Sequence, residues 1–280
     1  MGDPKAYRTE REWIITGETP KKRTKKSIDI YGDGHGRVDY VEHMGEDLTI
    51  VNSARVSFGK HKESIDEKDK KLINYLVKHQ HTSTFEHNLV TFRFTVPLYV
   101  RSQHHRHRTW SYNEISRRYT DINIQFYEPN KFRTQHKSNR QASNAEEMID
   151  PVLNYPSRLD YMSLQAPARI AVKKHHENSL ELYNMMIEKG VCREQARGVL
   201  PQNMYTEYYG TVNLSNLLKF IDLRTHEGAQ WEIQKVAEAC LEISEGLWPI
   251  AVGAYRRAKN EKDTISGHTI AGSKSILNDA

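Results

Sequence analysis

Gln103–Tyr119 reads QHHRHRTWSYNEISRRY. Within it Arg106, Arg108, Arg117 and Arg118, with His104, His105 and His107, stand beside Ser111, Asn113, Glu114 and Ser116. Guanidinium groups present paired N–H donors that match the paired oxygens of a phosphate. Short hydroxyl and amide side chains at the end of an element can complete such a site. An Arg/His run is also, and more often, a solvated basic face, so residue types alone leave both readings open.

The flanking chain places this stretch. Leu89–Val96 alternates, with Val90, Phe92, Phe94 and Val96 on one side and Thr91, Arg93 and Thr95 on the other, which predicts a half-buried strand. Pro97 then suits the first position of a helix through Tyr99, Val100 and His104. The motif is therefore expected on a helix end and the loop that follows it. Upstream, His79, His81 and His87 with Glu86 have side chains that suit zinc or iron. Their spacing fits no helical His-x-x-x-His pattern, and no metal is expected.

Further out, Ser27–Tyr31 and Arg37–Met44 read as two strands around the glycine-rich turn 32–36. Asp47–Phe58 and Asp66–Lys78 read as helices, the second with Leu72, Ile73, Leu76 and Val77 as its apolar stripe. Ile122–Tyr127 is read as a strand, Lys131–Asn144 as a loop and Ala145–Ile149 as a short helix. Leu159–Lys189 is expected to be one long helix bent at Pro167 and closed by Gly190. Arg193 and Arg197 are four apart and share a helical face. Met204–Val212 reads as a strand, after which Asn213 caps a helix ending at Arg224. Trp231–Trp248 has Ile233, Val236, Ala237, Cys240, Leu241, Ser244 and Leu247 at helical spacing. Residues 1–26 form a polar extension ending in a basic cluster, and 259–280 a polar tail. One domain, 27–258, remains between them.

The 280 residues are 37% hydrophobic and 28% charged, as in a soluble globular protein. A formal charge of +5 favours anionic partners without separating nucleic acid from nucleotides. Two cysteines, Cys192 and Cys240, make neither a disulfide framework nor a zinc site alone, as expected of a reducing cytoplasm. No apolar run is long enough to span a membrane, and Met1–Glu12 lacks the apolar region of a signal peptide.

The order of the residues adds more. Arg106-His107-Arg108, then seven residues, then Ser116, with Gln103, Ser111-Tyr112-Asn113-Glu114 and Arg118-Tyr119, resembles the signature of flavin-dependent thymidylate synthases. Ala54–Phe58, the His81–His87 segment, Arg193–Pro201 and Asn213–Arg224 resemble further segments of that family. The resemblance covers roughly Ile28 to Tyr255. It implies an α+β fold, a twisted and largely antiparallel sheet flanked by helices; the periodicities above put the long helices in the second half. It also implies a homotetramer whose active sites combine residues of several subunits.

The implied reaction is reductive methylation of dUMP to dTMP. FAD would be bound, with NADPH as reductant and methylenetetrahydrofolate as carbon donor, the flavin relaying the carbon and then a hydride. By the same resemblance Gln103, His104, His105, Arg106, Glu114, Ile115, Ser116, Arg117, Arg118, Arg197 and Arg224 would bind dUMP. Ser83, Arg106, His107, Arg108, Glu114, Asn213, Leu214, Ser215 and Lys219 would bind FAD. Arg224 would activate the pyrimidine, and His81 would lie close to the isoalloxazine. Lys219 stands where the family is expected to have asparagine.

The chemistry has a physical rationale. C5 of dUMP is a poor nucleophile. A thiolate adding to C6 is one remedy, but neither cysteine sits in a polar motif. A fixed guanidinium stabilising negative charge on N3 and O4 is the other, and such preorganised groups contribute about 3 to 4 kcal/mol each. The alternative is a nucleic-acid-binding module using the basic N-terminus with Trp110 and Tyr112 as stacking platforms. It leaves Glu114, Arg197 and Asn213–Arg224 unexplained, so no stable nucleic-acid partner is expected.

Overall fold

In the computed structural model, residues 26–274 are described except 121–122, 141 and 157–162, with 145, 155–156, 163–164 and 262–274 described by backbone alone. The N-terminal extension before Lys26 and the last residues of the tail, 275–280, lie outside the described residues.

Strands β1 (Ser27–Asp29) and β2 (Arg37–Met44) form a hairpin. Gly32 and Gly34 take φ of 70° and 74° in its turn, which side-chain-bearing residues resist. Asp29 Oδ1 accepts from the Gly32 N–H at 2.7 Å. β2 pairs with β3 (Leu89–Pro97). The chain then makes α1 (Asp47–Arg55) and α2 (Glu67–Lys78) between β2 and β3, and α3 (Leu98–His104) after them. β4 (Ser111–Glu114) follows. Far downstream, β9 (Tyr205–Asn213) inserts between β3 and β4, giving the antiparallel order β1-β2-β3-β9-β4.

The predicted alternation on β3 holds. Val90, Phe92, Phe94 and Val96 are buried, while Arg93 on the opposite face reaches Asp39 Oδ2 at 3.0 Å. Against the buried face pack α6 (Leu214–Arg224), α7 (Trp231–Leu247) and α8 (Pro249–Lys274). Gly210 on β9 permits this packing, because a Cβ there would come within 2.9 Å of the Phe94 ring and 3.2 Å of Trp110. At the α7–α8 corner, Asp47 accepts from the Ile250 and Ala251 N–H groups at 3.0 and 2.9 Å. Trp248 Nε1 donates to the Gly45 carbonyl at 2.9 Å. Asp69, fully buried on α2, is bridged by Arg55 and Lys62.

Several expectations need correction. Pro97 has extended backbone and is both the end of β3 and the N-cap of α3, because the strand runs straight into the helix. Lys131–Asn144 is not a plain loop and Ala145–Ile149 is not a helix: β5 (Phe132–Gln135) pairs with β6 (Ser143–Ile149). The helix expected from Leu159 begins only after Pro167. That proline ends β8 (Ser163–Pro167), the partner of β7 (Val152–Pro156), and caps α4 (Ala168–Glu188). A helix-interior proline would have lost a hydrogen bond and clashed with the preceding turn. Finally, of the expected strand Ile122–Tyr127, the described residues 123–127 contribute one bridge, Phe126 to Met204. The last helix α8 also runs past position 258, to Lys274.

Candidate active site

The motif begins on α3, turns through residues 105–110 and ends on β4. Tyr112 Oη ties the turn shut by donating to the carbonyls of His104 at 2.9 Å and His107 at 3.2 Å. His104 is fully buried. Its Nδ1 pairs with Tyr208 Oη at 2.7 Å, and its ring stacks on Phe220 at 4.6 Å. Burial pushes its pKa well below the usual histidine value, so the ring is neutral. The His104 side chain thus supports the motif from inside the core. His105 stacks on Tyr112 at 4.1 Å.

Arg224, the last residue of α6, enters this turn from the far end of the chain. Its Nε donates to His107 Nε2 at 3.0 Å and its Nη2 to the Gln103 carbonyl at 3.2 Å. Burial first, and then the Arg224 charge, push His107 down to about 4. His107 is therefore neutral near pH 7 and offers Arg224 a lone pair. Burial also lowers the Arg224 guanidinium from its ordinary value. A desolvated cation held by two bonds, with N–H groups to spare, can stabilise developing negative charge.

Glu114 Oε1 accepts from Thr206 Oγ1 at 2.6 Å. Arg101 Nε lies 3.2 Å from the same oxygen, close enough for an ion pair but not aligned as a hydrogen bond. Ser116 Oγ accepts from the Arg118 N–H at 3.3 Å. Arg106, Arg108 and Arg118 are exposed. Ile115 and Arg117 line a cavity of about 600 Å³ with Tyr205 and Thr206. Arg197 is exposed on the 3-10 turn Arg197–Val199 that follows α5 (Arg193–Ala196).

Of the residues expected at a flavin, Arg106, His107, Arg108 and Glu114 stay with this motif, while Ser215 and Lys219 line a separate cleft. Ser83 lies exposed on a 3-10 turn, Thr82–Phe85, preceded by His81, whose ring meets Tyr75 edge-on at 5.7 Å. Asn213 caps α6, its Oδ1 accepting from the Asn216 N–H at 2.9 Å. Leu214 is wholly in the core. Ser215 is 4% exposed, and its Oγ has no hydrogen-bond partner. It opens on a cleft of about 810 Å³, whose walls include Thr82, Phe85, Leu218, Lys219, Tyr255 and Lys259. Buried hydroxyls are nearly always satisfied. An orphan hydroxyl beside a lysine, in a cleft that mixes Leu76, Val77, Phe85 and Leu218 with Asp222, His226, Glu227 and Lys259, fits a large cofactor that carries both apolar and polar groups. The cleft wall includes none of Arg106, His107, Arg108 or Glu114. Among the described residues, no group of three or more His, Cys, Asp or Glu side chains is placed to hold a metal ion. No described helix is long and apolar enough to cross a membrane.

Several participants had escaped the sequence reading. Arg101 and Thr206 hold Glu114, while Tyr255 and Lys259 wall the cleft. Gln230 accepts a hydrogen bond from the Gln103 amide. Only Lys259 had a local signal, its helical spacing from Tyr255, and it lay in a stretch read as tail.

Comparison with known proteins supplies the lineage. The family model described as "Thymidylate synthase complementing protein" matches residues 39–250. A flavin-dependent thymidylate synthase of Thermus thermophilus is 41% identical over 242 residues, 86% of this chain and 83% of that one. Its counterpart from Thermosipho africanus is 36% identical over 232 residues, 83% of this chain and 96% of that one. Among solved structures, the UMP/dUMP methylase PolB from Streptomyces cacaoi, bound with 5-Br dUMP, superposes with a TM-score of 0.65. It is 30% identical, over 79% of this chain and 94% of that one. The matched stretch runs from β2 through α8's first turn and contains the whole Gln103–Tyr119 motif and Arg224, and the chain belongs to the flavin-dependent thymidylate synthase family, as a methyltransferase enzyme.

Proposed function

We propose that the protein methylates C5 of dUMP to give dTMP, with Arg224 as the activating group. The observation that carries this reading is the clasp on Arg224: a neutral His107 and the Gln103 carbonyl hold its guanidinium inside the phosphate-type motif. Held there against the uracil edge, the cation stabilises negative charge on N3 and O4 and drives electron density to C5. Gln103, Arg106, Ser116, Arg118 and Arg197 hold the nucleotide, and Glu114 keeps its carboxylate fixed between Arg101 and Thr206.

No thiolate is required. Cys240 is fully buried on α7, where burial pushes its thiol far above the ordinary value. Cys192 lies exposed at the N-cap of α5, its Sγ 3.7 Å from Gln195 Oε1. Neither thiol is needed where Arg224 supplies the activation.

FAD fits the cleft at Ser215 and Lys219, with Ser83 and Asn213 beside it; when bound it supplies the relay of the one-carbon unit and the hydride. NADPH and methylenetetrahydrofolate are the co-substrates in this reading. The flavin-side residues and the His107–Arg108–Glu114 group belong to different walls of a single chain. That separation supports a homotetramer in which one subunit completes another's site. The setting is the cytoplasm.

The test is the visible absorption spectrum of the purified protein before and after FAD and dUMP are added. A bound flavin band that shifts with dUMP, followed by NADPH-dependent dTMP formation, is expected. A colourless protein that takes up no FAD defeats the proposal.

A further inference from the structure

Gln103 is the head of a hydrogen-bonded chain that leaves the site. Its Nε2 donates to Gln230 Oε1. Gln230 Nε2 donates to Glu232 Oε2 at 2.9 Å. Glu232 Oε1 accepts from Arg133 Nη2 at 2.7 Å. Glu232 is only 4% exposed, in the first turn of α7, and the Arg133 guanidinium lies 5.1 Å from the Trp231 ring centre. Gln230 is the N-cap of α7 and Arg224 the end of α6, so both partners of Gln103 come from the ends of one short connection.

This chain has a direction. An ionised carboxylate only accepts hydrogen bonds, whereas an amide can be turned either way. Glu232 therefore obliges Gln230 to turn its NH2 inward and its carbonyl toward Gln103. Gln103 must then answer with its own NH2. Its Oε1 is the atom without a hydrogen-bond partner among the described residues. We propose that Glu232 and Gln230 are positioning residues that fix the Gln103 amide with its carbonyl toward the nucleotide, making Gln103 an acceptor for a donor group on it. The inference rests on the reading of Gln103 as a dUMP ligand. The donors that dUMP can offer are its ring N3–H and its 3′-hydroxyl.

Glu232→Gln reverses the polarity. Arg133 only donates, so the new amide turns its oxygen to Arg133 and its NH2 to Gln230. Gln230 and Gln103 then flip in succession, and Gln103 meets the nucleotide with N–H instead of an oxygen. A carboxylate at position 103 would repair this. It would accept from the flipped Gln230 and still offer an oxygen to the ligand.

The experiment is calorimetric titration of dUMP into the flavin-loaded full-length protein. Glu232→Gln should weaken binding about tenfold, the scale of one neutral hydrogen bond lost and left unpaired. Gln103→Glu alone should weaken it at least as much. The double variant should recover most of the affinity of the parent. Gln230→Met, at a half-buried position, frees the Gln103 amide to turn and should also weaken binding, by up to about tenfold. Additive losses in the double variant, or unaltered binding by Gln230→Met, would overturn the proposal. Parent protein that binds no dUMP would instead bring down the nucleotide reading itself. N3-methyl-dUMP and 2′,3′-dideoxy-UMP identify the donor: the analogue lacking it should bind the parent and Glu232→Gln equally. If both analogues still distinguish the two proteins, Gln103 accepts from neither group and the proposal fails.

Discussion

His107→Gln removes a titrating ring yet keeps an acceptor for Arg224, so it isolates what the ring's protonation costs the fold. In the native protein burial and the Arg224 charge hold His107 at about 4, against an ordinary value of 6.5. Its contribution to stability is intact above about pH 6.5 and is lost progressively as the pH falls toward about 4, because the unfolded chain takes the proton first. The gap between 6.5 and about 4 corresponds to about 3 kcal/mol at full strength. The ring is only half-buried, and solvent screening brings the expected effect down to about 1 to 2 kcal/mol. The assay is urea unfolding of both proteins at one fixed concentration, from about pH 7.5 to about pH 4.5. Wild type and variant should converge on acidification, the wild type losing about 1 to 2 kcal/mol that the variant does not lose between neutral pH and about pH 4.5. Parallel curves would refute the view that a neutral His107 holds Arg224.

Arg224→Ala should retain FAD while dTMP formation falls about a hundredfold or more, the scale of one lost electrostatic partner; wild-type turnover would strip Arg224 of its role. Asp69→Asn should destabilise the protein by about 3 kcal/mol in the same urea assay, since it leaves Arg55 and Lys62 without their shared buried carboxylate. Burial alone would raise the Asp69 pKa. Hydrogen bonds from Lys62, the Asp69-facing turn at Asp66 and Arg55 outweigh burial and hold it well below 3.8, so its stabilisation is present above about pH 3.8 and fades on further acidification. A mutant as stable as wild type would remove that cluster from the stability argument. Cys192→Ala and Cys240→Ala should both keep full turnover in the dTMP assay, and loss of activity in a folded Cys192→Ala would reopen thiol catalysis.

Much of the sheet and helix layer could be read locally. The alternation Val90, Phe92, Phe94, Val96 and the cap at Asn213 are decided by neighbours two to four residues away, and both appear as expected. The two hairpins of residues 132–167 were not legible. Their strands carry exposed Met148, Ile149, Val152 and Leu153 on short polar segments, so no buried face imposes a period. β4 was missed because Ser111–Glu114 is a strand only by virtue of Thr211, Gly210, Tyr209 and Tyr208. At the site, the motif announced its arginines but not their support. His104 reads as one more basic residue, and only Tyr208, Phe94 and Phe220 make it a core ring. Gln230 and Glu232 read as the start of a helix, and only Gln103 and Arg133 give them direction.

The place of β9 between β3 and β4 also sets a timetable. Among the described residues β4 has no other strand to pair with: Ser111 waits for Thr211 and Glu114 for Tyr208. Arg224, which the motif must clasp, comes later still. During synthesis, at about 5 to 20 residues per second, the first hairpin and β3 can pair while the guanidinium-rich turn remains without its sheet edge. The motif thus gains its sheet edge and its clasp only after Arg224, once most of the chain has been made. A nascent chain interrupted before β9 carries every residue of the Gln103–Tyr119 motif but neither the strand that pairs with β4 nor the guanidinium that the motif clasps.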